Sequence, residues 1–227
     1  MLSYTEENYL KALLSLTGFE KGDAEAGTNE LAMQLGVKPA TVNDMLKKLR
    51  EKGYLDYEKY GKIRLSDTGR KSAIMVLRKH RLWETFLHQK LEFTWDEVHE
   101  VAEQMEHIQS DKLIEKLDWF LSYPQFDPHG DPIPNAAGQM PGYERVLLSE
   151  MELGQRCNVA AVKDTSPSFL QYLVQLGIGV GTEIEVIQKV AFDDSLRIRF
   201  EHREQMVSSK FAENLWVAMA EKPSHCE

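Results

Sequence analysis

Cysteine is nearly absent. The 227 residues hold two, Cys157 and Cys226, too few for a disulfide framework or a thiolate zinc site. Long hydrophobic runs are missing as well: none approaches the roughly 18–20 residues of a membrane span. The opening Met1-Leu2-Ser3-Tyr4-Thr5-Glu6-Glu7 lacks a basic-then-apolar signal. A soluble, cytoplasmic protein is the expectation. Proline is scarce outside one stretch, with five of the eight between Tyr123 and Pro141. No internal repeat or low-complexity tract interrupts the chain. Apolar residues at 42% and charged residues at 28% support an ordinary core and exclude disorder and fibre.

Positive charge is in deficit overall but concentrated locally. Thr28 to Arg81 holds thirteen Lys/Arg against six Asp/Glu, a charge of +7 in a chain of −9, so the remainder carries −16. One basic segment in an acidic protein points to an anionic partner there, and nucleic acid is the first candidate. On charge alone, a solvated helical face explains it equally well.

The local pattern favours DNA. Thr5 to Leu16 reads as a helix with Tyr9, Leu10, Leu13 and Leu14 on its apolar face. Thr28 to Leu35 is a second, stopped by Gly36, and Pro39 suits the first turn of a third with Val42, Met45, Leu46 and Leu49 inward. Two strand-like runs flank Lys59-Tyr60-Gly61-Lys62 as a hairpin. Helix, helix–turn–helix, hairpin is the winged helix-turn-helix plan. Pro39 to Lys52 is then the recognition helix. Lys38, Pro39, Thr41, Asn43 and Asp44 lie at or near its start, within reach of bases or phosphates, while Lys47, Lys48, Lys59, Lys62 and Arg64 suit phosphate contacts.

A long helical region, Asp67 to Tyr123, follows with a break near Glu92-Phe93-Thr94. A helix from Trp95 to about Gln109 carries His99, Glu103, Glu106 and His107, offsets that place all four on one helical face. His80 and Glu84 sit one turn apart on the preceding helix. Imidazole plus carboxylate without thiolate suits Mn²⁺ or Fe²⁺. A ferritin-like di-iron site needs Glu-x-x-His, but Glu106 stands three residues after Glu103. The next segment, with Leu113, Ile114, Leu117, Phe120 and Leu121, has a broad apolar face suited to core packing or dimerisation. Beyond the proline-rich crossing, Val159–Val162, Glu183–Ile187, Leu196–Phe200 and Leu215–Ala218 read as strands of a small β-barrel, with a short helix at Phe169–Leu176.

The helix–turn–helix, then Arg78-Lys79-His80-Arg81-Leu82-x-Glu84, then His99-x-x-x-Glu103-x-x-Glu106-His107-x-x-Ser110-Asp111, resembles the diphtheria-toxin-repressor family of metal-dependent repressors. Ile178-x-Val180-Gly181-x-Glu183-Ile184-Glu185-Val186 is similar to the SH3-like domain of its longer members and to ferrous-transport accessory domains. The resemblance implies a mainly α chain with small β. Residues 1–73 would be the winged helix-turn-helix, 74–142 the metal-binding and dimerisation domain with the proline-rich linker, and 143–227 the SH3-like barrel. It implies a regulatory site of His80, Glu103, Glu106 and His107 plus a first-helix ligand. That ligand matches Asn8, where manganese-type members carry aspartate and iron-type members methionine, with Glu7 as the alternative. Glu103, in place of the cysteine of iron-responsive members, resembles the manganese branch. By similarity to streptococcal manganese regulators, Glu84, Asp127, His129 and Asp164 match a second site, with Asp127-Pro128-His129-Gly130 replacing Cys-Pro-His-Gly. His99 serves an ancillary site in the iron branch.

The reading is a homodimeric repressor of metal-uptake genes on palindromic operator DNA, without membrane partners. Its corepressor is Mn²⁺, favoured over Fe²⁺, with up to two ions per subunit. A metal-independent winged-helix regulator competes with this, and so does a mononuclear metal hydrolase, although no His-Glu-x-x-His or nucleophile motif is present. Replacing Lys47 and Lys48 by alanine should weaken operator and random DNA alike. The slope of log affinity against log salt should shrink by about one unit per lost phosphate contact. An unchanged salt slope would place both lysines away from DNA.

Overall fold

The structure is a computed structural model that describes residues 2–19, 25–57, 62–142 and 144–219. It divides into two compact units. The first comprises residues 1–83, 100–125 and 133–140, the second 84–99, 126–132 and 141–227.

In the first unit, α1 (Tyr4–Thr17) opens with a capping box in which the Ser3 hydroxyl accepts from the Glu6 N–H and the Glu6 carboxylate accepts from the Ser3 N–H. Tyr9, Leu10, Leu13 and Leu14 are buried as the periodicity requires. A two-residue strand, β1 (Ala26–Gly27), precedes α2 (Thr28–Leu35), which ends on Gly36 in the left-handed conformation, and α3 (Pro39–Glu51) follows. Leu31, Ala32, Val42 and Leu49 lock these two helices onto α1. β2 (Leu55–Tyr57) and β3 (Lys62–Leu65) pair antiparallel, and β1 adds to the other edge of β3. The sequence reading had no β1, because two residues carry no alternation. The tip of the hairpin, including Lys59, lies outside the described residues.

α4 (Asp67–Leu91) runs for 25 residues, and the chain leaves it at Glu92 with φ of 60°. α5 (Val98–Met105) is shorter than the expected Trp95–Gln109. The peptide after Thr94 forms a turn in which the Thr94 carbonyl accepts from Glu97 and Val98, so regular helix starts only at Val98. α6 (Asp111–Phe120) is capped by the Ser110 hydroxyl, with Ile114 and Leu117 buried and Leu113, Trp119 and Phe120 exposed. Arg78 on α4 bonds Asp118 of α6 at 2.6 Å and the Pro134 carbonyl at 2.7 Å, fixing part of the proline-rich crossing.

The second unit is built on a six-stranded antiparallel sheet. Its strands are β4 (Val146–Leu147), β5 (Arg156–Val162), β6 (Glu183–Lys189), β7 (Leu196–Phe200), β8 (Arg203–Val207) and β9 (Leu215–Met219), in the order β4-β9-β5-β6-β7-β8. β7 alternates strictly between buried and exposed residues. β8 escaped the sequence reading because, as an edge strand, it buries only Val207 fully. α7 (Pro167–Leu176) and α8 (Ser209–Ala212) add Leu170, Leu173 and Phe211 to the core.

The loop before this sheet is pinned at Gly130. Its φ is +84°, and a Cβ there would stand 1.9 Å from the Ala160 carbonyl oxygen, while the next turn of chain is tied by Val162 N–H to the His129 carbonyl at 3.0 Å. Gly130→Ala should therefore lower stability by about 2–4 kcal/mol, strain and backbone clash together. Gly142→Ala, which meets nothing within 4 Å, should be near neutral. Equal melting temperatures for the two variants would show that the loop yields freely.

Candidate metal centre

The first helix meets the end of α5 through charged side chains. Glu106 is wholly buried and lies just past the end of α5. His80 Nδ1 approaches its Oε2 at 2.6 Å. Lys11 donates to Oε2 at 2.7 Å and lies equally near Oε1, there outside hydrogen-bonding geometry. Lys11 also reaches the half-exposed Glu103 at 3.4 Å. Burial drives the Glu106 carboxyl up, but the His80 hydrogen bond and the Lys11 charge outweigh it and hold the group below the ordinary carboxylate range.

His107, partly buried with 7% of its side chain exposed, is the second member. Glu7 pairs with its Nδ1 at 2.5 Å, while Gln109 donates to the other Glu7 oxygen at 2.8 Å and the Tyr4 ring, tilted by 41°, has its centroid 3.6 Å away. In the neutral ring with Nδ1 donating to Glu7, Nε2 is the nitrogen left open. That atom and Glu106 Oε1 face each other at 3.5 Å, and neither has a hydrogen-bond partner among the described residues. Two buried acceptors opposed in this way need a positive charge near them, and the Lys11 ammonium, 2.7 Å from Oε1, is the one present. A carboxylate–histidine pair that leaves the other ring nitrogen open is also the usual support of a metal-bound imidazole. The residues fit a divalent cation.

Asn8 is half-buried and makes no hydrogen bond to this group, whereas Glu7 is part of it. The helical arithmetic that put His99 with Glu103, Glu106 and His107 does not hold. α5 stops at Met105, so His107 reaches the group through a turn, and His99 instead approaches Glu84 at 3.2 Å. Lys11 was missed because an ammonium is not a ligand. Its position one turn after Glu7 was the available signal.

In the second unit, Glu84, Asp127 and His129 are all buried and bring one ligand atom each within 4.8 Å of the others. Asp127 Oδ1 accepts from the His129 and Asp131 N–H groups at 2.9 Å each, and His129 Nε2 bonds the Trp95 carbonyl at 3.0 Å. That leaves Nδ1 toward Glu84, 3.9 Å away. Burial pushes the His129 imidazole down, but Glu84, then Asp127, raise it to about 9. Asp164 is not in this group. Its carboxylate accepts from the Ser166 N–H at 2.9 Å, at the start of α7.

On α3, Lys38, Pro39, Thr41, Asn43, Asp44, Lys47 and Lys48 are exposed, while Val42 and Leu49 point inward. Lys62 and Arg64 on β3 both pair with Glu25. Among the described residues no helix is long and apolar enough to cross a membrane.

Three domain families match the chain in succession. They are the iron dependent repressor N-terminal DNA binding domain over residues 1–63, the iron dependent repressor metal binding and dimerisation domain over 66–135, and the FeoA domain over 146–219. A probable metal transport system membrane protein of Chlamydia trachomatis is 41% identical over 78 residues, which is 34% of this chain and 17% of that protein's length. The iron-dependent repressor IdeR of Mycobacterium tuberculosis is 31% identical over 157 residues, 66% of this chain and 67% of that one. A solved manganese-dependent transcriptional repressor in complex with manganese superimposes with a TM-score of 0.83 at 33% identity, over 95% of this chain and 100% of that one. With both repressor domains matched and a solved repressor covered from end to end, the chain belongs to the iron-dependent, or diphtheria-toxin-repressor, family.

Proposed function

We propose that this chain is a metal-activated transcriptional repressor of metal-uptake genes, working in the cytoplasm as a homodimer on palindromic operator DNA. Mn²⁺ is favoured over Fe²⁺ as corepressor. One observation carries the reading: Glu106 Oε1 and His107 Nε2, buried atoms without a hydrogen bond among the described residues, face each other at 3.5 Å beside a helix of the DNA-binding domain. His80, Glu103, Glu106 and His107 form the regulatory site in this reading. Glu7 holds the His107 ring from the first helix, and Asn8 is its neighbour. A bound divalent ion would take these two atoms as ligands, where Lys11 now supplies the positive charge.

The same first turn of α1 reaches the recognition helix. Glu6, adjacent to Glu7, pairs with Lys52 at 2.7 Å, and Lys52 closes α3. Burial raises the Glu6 carboxyl, yet the Lys52 and Ser3 hydrogen bonds leave it lowered and charged. Neighbouring side chains on one turn of helix therefore link the metal residues to α3. Fixing α1 fixes where α3 stands, which a dimer needs if both recognition helices are to enter successive major grooves. The exposed Leu113 and Phe120, seven residues apart on α6, with Trp119 and Tyr123 also exposed, support a dimer surface. Glu84, Asp127 and His129 are the second site, with His99 beside it and Asp164 as an outer candidate. The division into residues 1–73, 74–142 and 143–227 is kept as the working domain scheme. Family members are repressors, which favours this reading over the hydrolase alternative.

The test is operator binding to the protein's own promoter, read by fluorescence anisotropy with Mn²⁺, Fe²⁺, Co²⁺ and Zn²⁺. Affinity should rise with Mn²⁺ and fall with chelator; metal-independent binding would favour the constitutive regulator. Glu7→Ala, which loses the group that orients His107, should weaken Mn²⁺ binding about 10–100-fold. Asn8→Ala should stay near wild type, and a loss equal to that of Glu7→Ala would make Asn8 the first-helix ligand instead. Glu6→Gln keeps the helix cap but removes the charge facing Lys52. It should bind Mn²⁺ normally yet need more metal to bind DNA; a parallel loss of both would put the coupling elsewhere.

A further inference from the structure

Lys11 stands one turn beyond Glu7 on α1, and its ammonium lies 2.7 Å from Glu106 and 3.4 Å from Glu103. These are two of the carboxylates assigned above to the metal. Glu106 has no exposure, whereas Lys11 keeps 19% of its side-chain surface in contact with solvent. The carboxylate is fixed and the ammonium has a way out. A lysine head is a strongly hydrated point charge on a flexible four-carbon stem, so it swings into water at low cost where a buried carboxylate does not.

We propose that Lys11 is the resident counter-cation of the Glu103–Glu106 pair, displaced when a divalent ion enters, and that it thereby sets the metal concentration at which the site fills. This rests on the reading of Glu106 and His107 as the metal site. The exchange balances without any covalent step. The divalent ion takes the carboxylate oxygens, Lys11 keeps its three protons and moves to solvent, and the site gains one net positive charge. Retaining Lys11 would place an ammonium beside a divalent ion with only protein between them, and like charges that close repel strongly. Nor does Lys79 take the same part: it lies 3.9 Å from Glu7 and has no contact with Glu106.

Competition predicts opposite effects on affinity and on metal-free stability. Lys11→Met keeps the length of the side chain and removes the charge. Metal-free protein should melt lower, because Glu106 loses a partner, while Mn²⁺ should bind about tenfold or more tightly. Lys11→Arg keeps the charge on a bidentate head and should weaken Mn²⁺ binding. Lys11→Gln serves as the second neutral variant if the methionine protein fails to fold. Mn²⁺ binding is read directly from loss of the free-ion electron paramagnetic resonance signal at constant pH, without DNA, and stability from thermal melting. A merely structural lysine would lower the melting temperature of the neutral variants without tightening Mn²⁺. That result, with wild type binding Mn²⁺ normally, overturns the proposal and leaves the metal site standing. If wild type and all variants leave the Mn²⁺ signal untouched, the metal site itself is wrong and the proposal falls with it.

Discussion

A carboxylate with no access to water is the constraint on which the first unit depends. Isolated, the Glu106 charge would be expelled or protonated. It stays charged because two separate parts of the sequence supply it: His80 from α4 and Lys11 from α1. Breaking a buried ionic group of this kind by removing one partner costs about 3–5 kcal/mol. The group therefore acts as a tie between the first helix of the DNA-binding segment and the helices that follow it. Any cation that changes the charge on Glu106 changes how firmly that tie holds.

The tie reaches the end of α3 because two adjacent glutamates do different work. Successive residues on an α-helix project about 100° apart, so Glu6 and Glu7 cannot face the same partner. Glu7 addresses His107 and Glu6 addresses Lys52 at the end of α3. The capping box that fixes the first turn of α1 uses the same Glu6. A helix start is normally its most frayed part; here it is held by a cap, an ion pair and an imidazole together. The coupling thus needs no long pathway, only one rigid turn.

What was legible in the sequence follows the physics of periodicity. α1 to α3, the wing and four of the strands announce themselves through apolar spacing and turn residues. β1 and β8 do not, one for being two residues long and the other for facing solvent along most of its length. The charged clusters were legible too, since His80, Glu106, Glu84, Asp127 and His129 are all buried, with His107 partly buried beside them. Their partition was not. Helical arithmetic assumed that α5 continued to Gln109, and its end at Met105 sends His99 to Glu84 and His107 to Glu7. Lys11 was invisible for another reason: sequence patterns for metal sites look for donors of electron pairs, and a competing cation is none.

The donor chemistry of both groups then bears on which metal is selected. Among the described residues, the side chains in either group able to donate to a metal are carboxylates and imidazoles, with no sulfur among them. The described cysteine, Cys157, is packed inside the β core, where burial pushes its thiol up to about 12, so it offers no thiolate to either group. Oxygen-rich sites do not overcome the intrinsic preference of nitrogen and oxygen ligands for later divalent ions by softness. Discrimination must come from charge and geometry instead. In the first unit the charge is set by Glu103, Glu106 and Lys11, and in the second by Glu84, Asp127 and a histidine held at about 9. Metal ligands must be deprotonated and unshielded before they bind. Each group therefore begins with its anions already partly neutralised by the protein, and an ion that enters has to outcompete positive charge that is in place before it arrives.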